Sequence, residues 1–268
     1  MNIDAAKAAL SHLDIEEKEA SIRASSRDFF WYSPVLKERL DHVVADFVVR
    51  PRNEAEVIEI LMSCYAHDVP VTTRGAGTGN YGQAMPLEGG CVMHLRWMDQ
   101  VKEVHPGRVI VEPGCLLKDL DAVCKEQSGQ EIRMFSSTWA TATIGGFIAG
   151  VSGGVGSCTW GSLRDLGNII RLRVGTIEEE PRILEFRGEE LARGSHAYGT
   201  NGIITEIEMP LAPAYDWGEM FVRSKDFMTA ARFAEELANE DGILIKLATV
   251  FEAPTAKSYF QRVAPHVD

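Results

Sequence analysis

Residues 69–92 read VPVTTRGAGTGNYGQAMPLEGGCV, in which an apolar stretch runs into a loop with glycines at positions 75, 77, 79 and 82. The apolar stretch predicts a β-strand, and glycine allows the following backbone to adopt left-handed conformations and to approach a ligand closely. Successive amides in such a turn form a concave, partly positive surface that suits phosphate oxygens. The stretch therefore predicts a strand followed by a phosphate-binding loop, in preference to a merely flexible glycine loop.

The spacing of Gly77, Gly79 and Gly82 matches the G-x-G-x-x-G pattern of dinucleotide-binding Rossmann folds. That fold needs a helix that starts within the motif, but Pro86 and Gly89 come before a helix could form. No glycine is followed by Lys-Ser or Lys-Thr, so a Walker loop is excluded as well. The loop therefore predicts a phosphate ligand held by a different fold.

Four blocks of sequence, taken in order, resemble one known family. The first is RGAGTG at residues 74–79, and the others are ATIGG at 142–146, WGSLRD at 160–165 and GTNGIIT at 199–205. Together they resemble the PCMH-type FAD-binding domain of the vanillyl-alcohol oxidase superfamily, and most of all its glycolate oxidase and D-lactate dehydrogenase branch. The resemblance extends over about residues 40–213, and four ordered blocks are far more specific than one glycine loop.

The resemblance implies an α+β fold, in which a PCMH-type FAD-binding domain of two α+β subdomains precedes a substrate-binding cap. On this interpretation residues 1–40 form an N-terminal helical segment and residues 41–213 form the FAD-binding domain. Residues 214–268 would then form a truncated, cap-like β-α-β segment. Little of the family's cap is present in the sequence, so the substrate chemistry lies mostly outside it.

The expected cofactor is FAD, and the resemblance assigns its binding to the glycine loop, to the block that begins at Thr143 and to the stretch that begins at Gly202. The candidate cofactor-binding residues are Arg74, Gly75, Ala76, Gly77, Thr78, Gly79, Asn80, Gly82, Ser137, Thr138, Thr143, Gly145, Gly146, Ser152, Gly153, Gly202, Ile203 and Ile204. No catalytic residue and no metal ligand is assigned.

Three positions depart from the family pattern. Ala76 replaces the usual middle glycine of the loop, which is a small change at a tight position. Thr78 stands where covalently flavinylated relatives carry a histidine, so the FAD is expected to be bound noncovalently. Tyr198 stands where many relatives of this branch have a glutamate before Gly-Thr, and the resemblance does not assign its effect.

Residues 141–161 contain seven glycines among small side chains and offer little to a hydrophobic core. Such a run is useful where a backbone must approach a cofactor or another segment closely. Thr143 is a candidate for capping a short helix or for facing a phosphate, with Gly145 and Gly146 opening that helix. A glycine-packed contact between a helix and a strand is the alternative.

The composition is that of a globular protein, with 45% hydrophobic and 25% charged residues. A formal net charge of −12 argues against a nucleic-acid partner, whose phosphates need a basic surface. The five cysteines are scattered and include no C-x-x-C motif, which, without a recognisable signal peptide, favours a reduced cytoplasmic protein. The longest weakly polar run, residues 141–155, is too short to span a membrane.

Hydrophobic periodicity and turn residues predict the secondary structure. Helices are predicted at residues 1–20, 53–66, 116–127 and 225–239, the second with a capping box formed by Asn53 and Glu56. Strands are predicted at residues 47–49, 69–73, 92–95, 109–112, 166–175, 182–186, 203–209, 220–222 and 243–251. Pro210 and Pro213 are taken to mark the end of the FAD-binding domain.

Three functions agree with these features. The first is an FAD-dependent oxidoreductase that moves a hydride from a small, hydroxy-acid-like substrate to flavin N5. A partner subunit, homo-oligomer contacts or a cap missing from this sequence would complete its active site. The second is a non-catalytic FAD-binding or electron-transfer subunit of a larger complex. The third is a reductase of enolpyruvyl sugar nucleotides with a similar fold, for which no proton donor can be assigned. The first is favoured.

Overall fold

The computed structural model describes residues 1–150, 153–260, 262 and 265. Its strands are β1 (Ile15–Glu16), β2 (Phe47–Val49), β3 (Val71–Arg74), β4 (Cys91–His94), β5 (Val101–His105), β6 (Arg108–Val111), β7 (Gln130–Ile132), β8 (Arg171–Gly175), β9 (Ile183–Arg187) and β10 (Ile203–Pro213). Its α-helices are α1 (Ile3–Ala9), α2 (Glu19–Ser25), α3 (Pro34–Leu40), α4 (Glu54–Ala66), α5 (Leu117–Ser128), α6 (Ile144–Gly150), α7 (Ser157–Trp160), α8 (Phe227–Ala238) and α9 (Ala253–Tyr259). The result is an α+β fold built on two sheets.

The first sheet has the strand order β1-β2-β4-β3, with β2, β4 and β3 parallel and β1 antiparallel at one edge. Helix α4 connects β2 to β3, and the Oδ1 of Asn53 accepts the Glu56 N–H at 3.0 Å while the Glu56 carboxylate reaches back to Asn53 and Arg52. The predicted capping box is confirmed. The helix buries an apolar stripe against the sheet, formed by Val57, Ile60, Leu61 and Cys64.

The second sheet is antiparallel, with the order β5-β6-β10-β8-β9, and β7 pairs with the far end of β10. Its core is the larger of the two, and it gathers side chains from the sheet and from helices α5 and α6. The predicted helix at 116–127 is confirmed within one residue, and Gly129 ends it in the left-handed conformation with φ of +64°. Strands β5 and β7 were not predicted.

The prediction of a single helix over residues 1–20 is wrong. Helix α1 ends at Ala9, and Ile15–Glu16 then joins the edge of the first sheet by pairing with β2. The Arg50 guanidinium holds this strand, since it lies 3.1 Å from both the Asp14 and the Glu16 carboxylates. Ala, Glu and Lys favour helix locally, but the long-range ion pairs stabilise an edge strand.

The last strand of the second sheet was predicted to end at residue 209, before Pro210 and Pro213. This prediction is wrong. Strand β10 continues to Pro213 because it changes its partner within this stretch. Pro210 is still opposite Arg108 of β6, and Leu211 is already opposite Ile132 of β7. Proline lacks an N–H group and is tolerated where a ladder is interrupted in this way. The strand predicted at 166–175 is shorter, and begins at Arg171.

The β-α-β unit predicted for residues 214–268 is not formed by the part of this segment that the structure describes. Its helix is present as α8, and Asp226 caps it by accepting the Thr229 N–H at 2.9 Å. The residues predicted as strands at 220–222 and 243–251 are extended or irregular and pair with no other strand. A strand is stabilised by its neighbours, and Met220 and Phe221 are instead 79% and 64% exposed.

Candidate functional site

A cavity of about 950 Å³ lies where the first sheet meets the second half of the chain. The loop after β3 forms one wall, and the residues from Ser136 to Val155 form another. A third contribution comes from residues 194–204, before and at the start of β10. Leu247 and Thr249 of the C-terminal segment complete the lining. Known ligand cavities measure about 300–1,000 Å³, so this cavity has room for a large cofactor.

The structure brings most of the predicted cofactor-binding residues together at this cavity. Those that line it are Arg74, Gly75, Ala76, Gly77, Thr78, Gly79, Asn80, Ser137, Thr138, Thr143, Gly145, Gly146, Gly153, Gly202 and Ile204. They come from separate parts of the sequence, and they meet because β3 delivers its loop to the same side as α6 and the start of β10.

Three predicted residues are not seen at the cavity. The Gly82 N–H donates to Asp28 Oδ2 at 2.9 Å, and its α-carbon faces Leu40, so Gly82 shapes the end of the loop instead. Ile203 is 5% exposed and packs in the core of the first sheet, because alternate residues of a strand point to opposite faces. Ser152 lies outside the described residues.

The glycine loop that lines the cavity has unpaired backbone amides. Within the described part of the chain, the N–H groups from Ala76 to Asn80 donate to no protein acceptor. Gly77 has a φ of +68°, and a Cβ there would collide with the Arg74 guanidinium, which lies directly against the loop. Unpaired amides next to a cation form an anion site, as the sequence of the loop predicts.

A buried charge pair supports this loop from behind. The Arg74 side chain donates from Nη1 to the Arg27 carbonyl, and its buried Nε has no acceptor among the described residues. Burial lowers the pKa of Arg74, and the nearby Asp28 carboxylate opposes that shift, so the guanidinium stays charged. Burial raises the pKa of Asp28, although its carboxylate accepts the Phe30 and Gly82 amides at 2.8 and 2.9 Å.

His94 ends β4 opposite Arg74 in the parallel ladder. Burial lowers its pKa to about 4, and the Arg74 charge contributes in the same direction. The ring packs edge-on against Trp97, with centroids 5.0 Å apart, and its buried Nδ1 has no partner within the described chain. A neutral histidine in this position is a packing residue of the first sheet, and it is not one of the cavity-lining residues.

Thr143 connects the second glycine-rich segment to the loop. Its Oγ1 accepts the Gly146 N–H at 3.2 Å, so it caps α6, and a Cβ on Gly75 would collide with the same oxygen. Gly145 lies against Pro113, whose carbonyl accepts its N–H at 2.8 Å. Close packing therefore explains part of the glycine content, as the alternative interpretation held, while Gly145 and Gly146 still line the cavity.

Several cavity-lining residues are not among the candidate cofactor-binding residues. Phe29 and Tyr32 come from the aromatic run at 29–32, and the Phe29 N–H donates to the Gly79 carbonyl at 2.8 Å. That run of aromatic residues was a usable signal. Leu247 and Thr249 had none, because they reach the cavity only through the tertiary path of the C-terminal segment. His196 and Tyr198 also line it.

The electrostatic character of the cavity is opposite to that of the whole chain. Among the described residues that line it there is no Asp, Glu or Lys, and Arg74 is the one with a fixed charge. The chain as a whole carries a net charge of −12. A cavity without carboxylates, lined by free amides and one guanidinium, accepts an anionic ligand at little electrostatic cost.

No group of three or more His, Cys, Asp or Glu side chains that could hold a metal ion occurs among the described residues. None of the helices in that part of the chain combines the length and the apolar character that crossing a membrane requires. The thiols of all five cysteines are free, and four of them are buried.

Comparison with known proteins identifies the domain. Residues 45–177 match the model of an FAD binding domain family. The glycolate oxidase subunit GlcD of Bacillus subtilis is 34% identical over 177 residues, which cover 63% of this chain and 37% of that protein. The mitochondrial D-lactate dehydrogenase [cytochrome] of Arabidopsis thaliana is 31% identical over 177 residues, covering 63% of this chain and 30% of that protein.

Among solved structures, an alkyldihydroxyacetonephosphate synthase superposes with a TM-score of 0.67 at 18% identity. The superposition covers 79% of this chain and 41% of that one, and it shows a shared fold. The matches span well under half the length of these relatives. The glycine loop and the capped helix α6 both lie within residues 45–177. Residues 45–177 therefore belong to the FAD binding domain family, and the relatives that share this domain include a glycolate oxidase subunit and a D-lactate dehydrogenase.

Proposed function

We propose that the cavity holds one FAD noncovalently and that the chain is the flavin domain of an oxidoreductase that acts on a small 2-hydroxy acid. The observation that carries this proposal is the charge of the cavity, whose described lining residues include no carboxylate in a chain of net charge −12. The pyrophosphate is assigned to the free amides from Ala76 to Asn80 and to the Arg74 guanidinium. Thr78 has no imidazole with which to form a covalent bond to the flavin.

The residues present fit such a cofactor. The backbone at Gly75 and Gly77 has no room for a Cβ, so this part of the wall is shaped for close approach. The Nε of Arg74 is buried without an acceptor among the described residues, and a phosphate oxygen would satisfy it. Gly202 and Ile204 add a further stretch of wall from β10.

A bound flavin supplies a two-electron acceptor for a hydride from a carbon that carries a hydroxyl group. The chain's own residues bind the phosphates, orient the cofactor along the cavity and exclude water from one side of it. Phe29 and Tyr32 stand at the loop with their rings 6.0 Å apart and nearly parallel, and they cover the cavity next to Gly79. Leu247 and Thr249 cover it from the C-terminal segment.

The substrate class rests on the names of the relatives, which are a glycolate oxidase subunit and a D-lactate dehydrogenase. Both names refer to small 2-hydroxy acids, which are anions at neutral pH. The cavity suits an anion, and His196 is the one imidazole among its described lining residues, which include no carboxylate or lysine. We assign the substrate-binding groups to another chain or domain.

The C-terminal segment offers a surface for that contact. Met220, Phe221 and Val222 are 55–79% exposed, and Phe227, Met228 and Phe233 of α8 are also exposed. Exposed apolar residues in such numbers are typical of an interface. A second copy of this chain and a different subunit both satisfy the requirement. The five free thiols agree with a cytoplasmic location for the assembly.

A non-catalytic role, as an FAD-binding or electron-transfer subunit, is the second candidate, and the absence of carboxylates and lysines from the described cavity lining favours it. Anaerobic addition of glycolate or D-lactate to the FAD-loaded protein separates the two. Bleaching of the flavin absorbance by a hydroxy acid supports the oxidoreductase, while bleaching by dithionite alone supports the electron-transfer subunit.

Light scattering during size exclusion tests the requirement for a partner. A strict monomer that turned over a hydroxy acid at about 1 per second or faster would contradict that requirement. Failure of the purified protein to bind FAD would contradict the whole proposal.

A further inference from the structure

His196 and Tyr198 hold an unusual backbone conformation at the wall of the cavity. Their φ angles are +52° and +51°, in the left-handed region, and Asp68 is the one other non-glycine residue of the described chain with a positive φ. A bulky side chain in this region costs about 1–3 kcal/mol and persists where its surroundings enforce it, often at a functional site.

Helix α6 and strand β3 enforce this conformation. The N–H groups of His196 and Tyr198 donate to the carbonyls of Ile148 and Ala149, both at 2.9 Å. Those carbonyls lie in the last turn of α6, which ends at Gly150. The next residue, Gly199, has a φ of +77° and packs so closely on Thr73 that a Cβ would collide with its hydroxyl.

The two side chains support each other beside the glycine loop. His196 Nε2 lies 3.1 Å from the Tyr198 hydroxyl, and the two ring centroids are 5.3 Å apart. The Tyr198 ring runs past Gly150, where a Cβ would lie 3.6 Å from its Cε1. Tyr198 is 40% exposed and lines the cavity, so part of its surface is open to the space for the ligand.

We propose that Tyr198, held in place by His196, stacks on a planar ring of the bound dinucleotide. The proposal rests on the FAD binding proposed above. FAD has a planar ring system on each side of its pyrophosphate, and Thr73, which Gly199 contacts, directly precedes Arg74 and the phosphate loop. The close approach of Gly199 to Thr73 therefore puts the aromatic pair beside the loop that is proposed to hold the phosphates. An aromatic side chain that is already ordered loses little conformational entropy when it stacks.

The test measures the binding of FAD, ADP and FMN to the apoprotein by titration calorimetry. Tyr198→Gly removes the ring and accepts the left-handed backbone without strain, so its melting temperature should equal or exceed that of the wild type. Its affinity for FAD should fall about 5- to 150-fold, the fold-change that corresponds to one stacked ring. Tyr198→Phe keeps the stack and should keep the affinity, and Tyr215→Ala, outside the cavity, is the control.

The two shorter ligands identify the ring. If Tyr198→Gly loses affinity for ADP and keeps it for FMN, Tyr198 stacks on the adenine. If it loses affinity for FMN and keeps it for ADP, Tyr198 stacks on the isoalloxazine. Wild-type affinity of Tyr198→Gly for all three ligands would overturn the stacking role and leave FAD binding intact. A lowered melting temperature together with wild-type affinity would mark the Tyr198 side chain as a packing residue only. A wild-type protein that binds no FAD would overturn both proposals together.

Discussion

Arg173 of β8 and Glu54 at the start of α4 form a bidentate ion pair that joins the second sheet to the helix of the first sheet. Arg173 Nε lies 3.1 Å from Glu54 Oε2, and Nη2 lies 2.7 Å from Oε1. The Thr205 hydroxyl of β10 donates to the same carboxylate at 2.7 Å. The pair therefore ties the helix of the first sheet to two strands of the second, and both walls of the cavity depend on that alignment.

Replacement of Glu54 by Gln should lower the free energy of unfolding by about 1–2 kcal/mol. The side chains of Glu54 and Arg173 are 29% and 31% exposed, so solvent screens the pair and keeps the effect below that of a fully buried one. Urea unfolding of the two proteins measures the difference. Glu178→Gln is the control, because its partner Arg182 is an exposed neighbour on one hairpin, and it should change stability less. Equal effects would show that Glu54 does not join the subdomains.

The contribution of Glu54 should depend on pH. Burial would raise its pKa, but hydrogen bonds from Arg173 and Thr205 and the charge of Arg173 outweigh burial and lower it overall. A carboxylate with a lowered folded pKa contributes stability above its unfolded pKa of about 4.3 and loses it as the pH falls through the folded value. The difference between the wild type and Glu54→Gln should therefore be full at pH 7 and shrink below about pH 4. A constant difference down to pH 2 would contradict this assignment.

Gly77→Val should abolish FAD binding and leave most of the fold intact. The new side chain would collide with the Arg74 guanidinium and resist a φ of +68°, at a strain of about 1–3 kcal/mol. Gly107→Val is a matched control, since Gly107 has a φ of +80°, open space around its α-carbon and no place at the cavity. Both variants should lose stability, and Gly77→Val alone should purify without flavin. Full flavin occupancy in Gly77→Val would show that the phosphates bind elsewhere.

The flavin should separate from the protein on acid denaturation, because Thr78 has no imidazole to form a tether. Centrifugation after acid treatment should leave a colourless pellet and a yellow supernatant. Colour that stays with the pellet would contradict noncovalent binding. Cys158 is the exposed thiol of the described chain and would then be the first residue to replace.

Lys246 should hold the C-terminal segment against the cavity. Its Nζ lies 2.9 Å from Glu131 Oε1, which also accepts the Trp217 indole N–H at 2.8 Å. Its carbonyl accepts the Gly156 N–H at 2.8 Å, and Leu247 follows directly in the cavity wall. Because the Glu131 side chain is 3% exposed, Lys246→Met should cost about 1–3 kcal/mol of local stability.

Hydrogen exchange measures this effect, and the amides of residues 245–249 should exchange faster in Lys246→Met. Lys257→Met, on the exposed surface of α9, should leave their exchange unchanged. Unchanged exchange in Lys246→Met would show that the two backbone contacts of the segment, at Gly156 and Thr159, hold it without the ion pair.

The local sequence determined the elements that carry the cofactor site. The capping box of Asn53 and Glu56, the apolar stripe of α4 and the glycine loop after β3 are short-range patterns, and short-range sterics and hydrogen bonding dictate their structures. The order of the four blocks led to the family, which the match over residues 45–177 then established. These features were therefore available before any tertiary structure.

The tertiary structure alone decided where residues distant in sequence meet. Periodicity could not show that Ile15–Glu16 joins the first sheet, that β10 exchanges β6 for β7 at Pro210, or that residues 243–251 remain unpaired, because strands form only with partners from elsewhere in the chain. Periodicity also could not show that Leu247 lines the cavity or that Tyr198 has a left-handed backbone conformation. Those outcomes depend on contacts across the fold, with Glu131 for the C-terminal segment and with the last carbonyls of α6 for Tyr198.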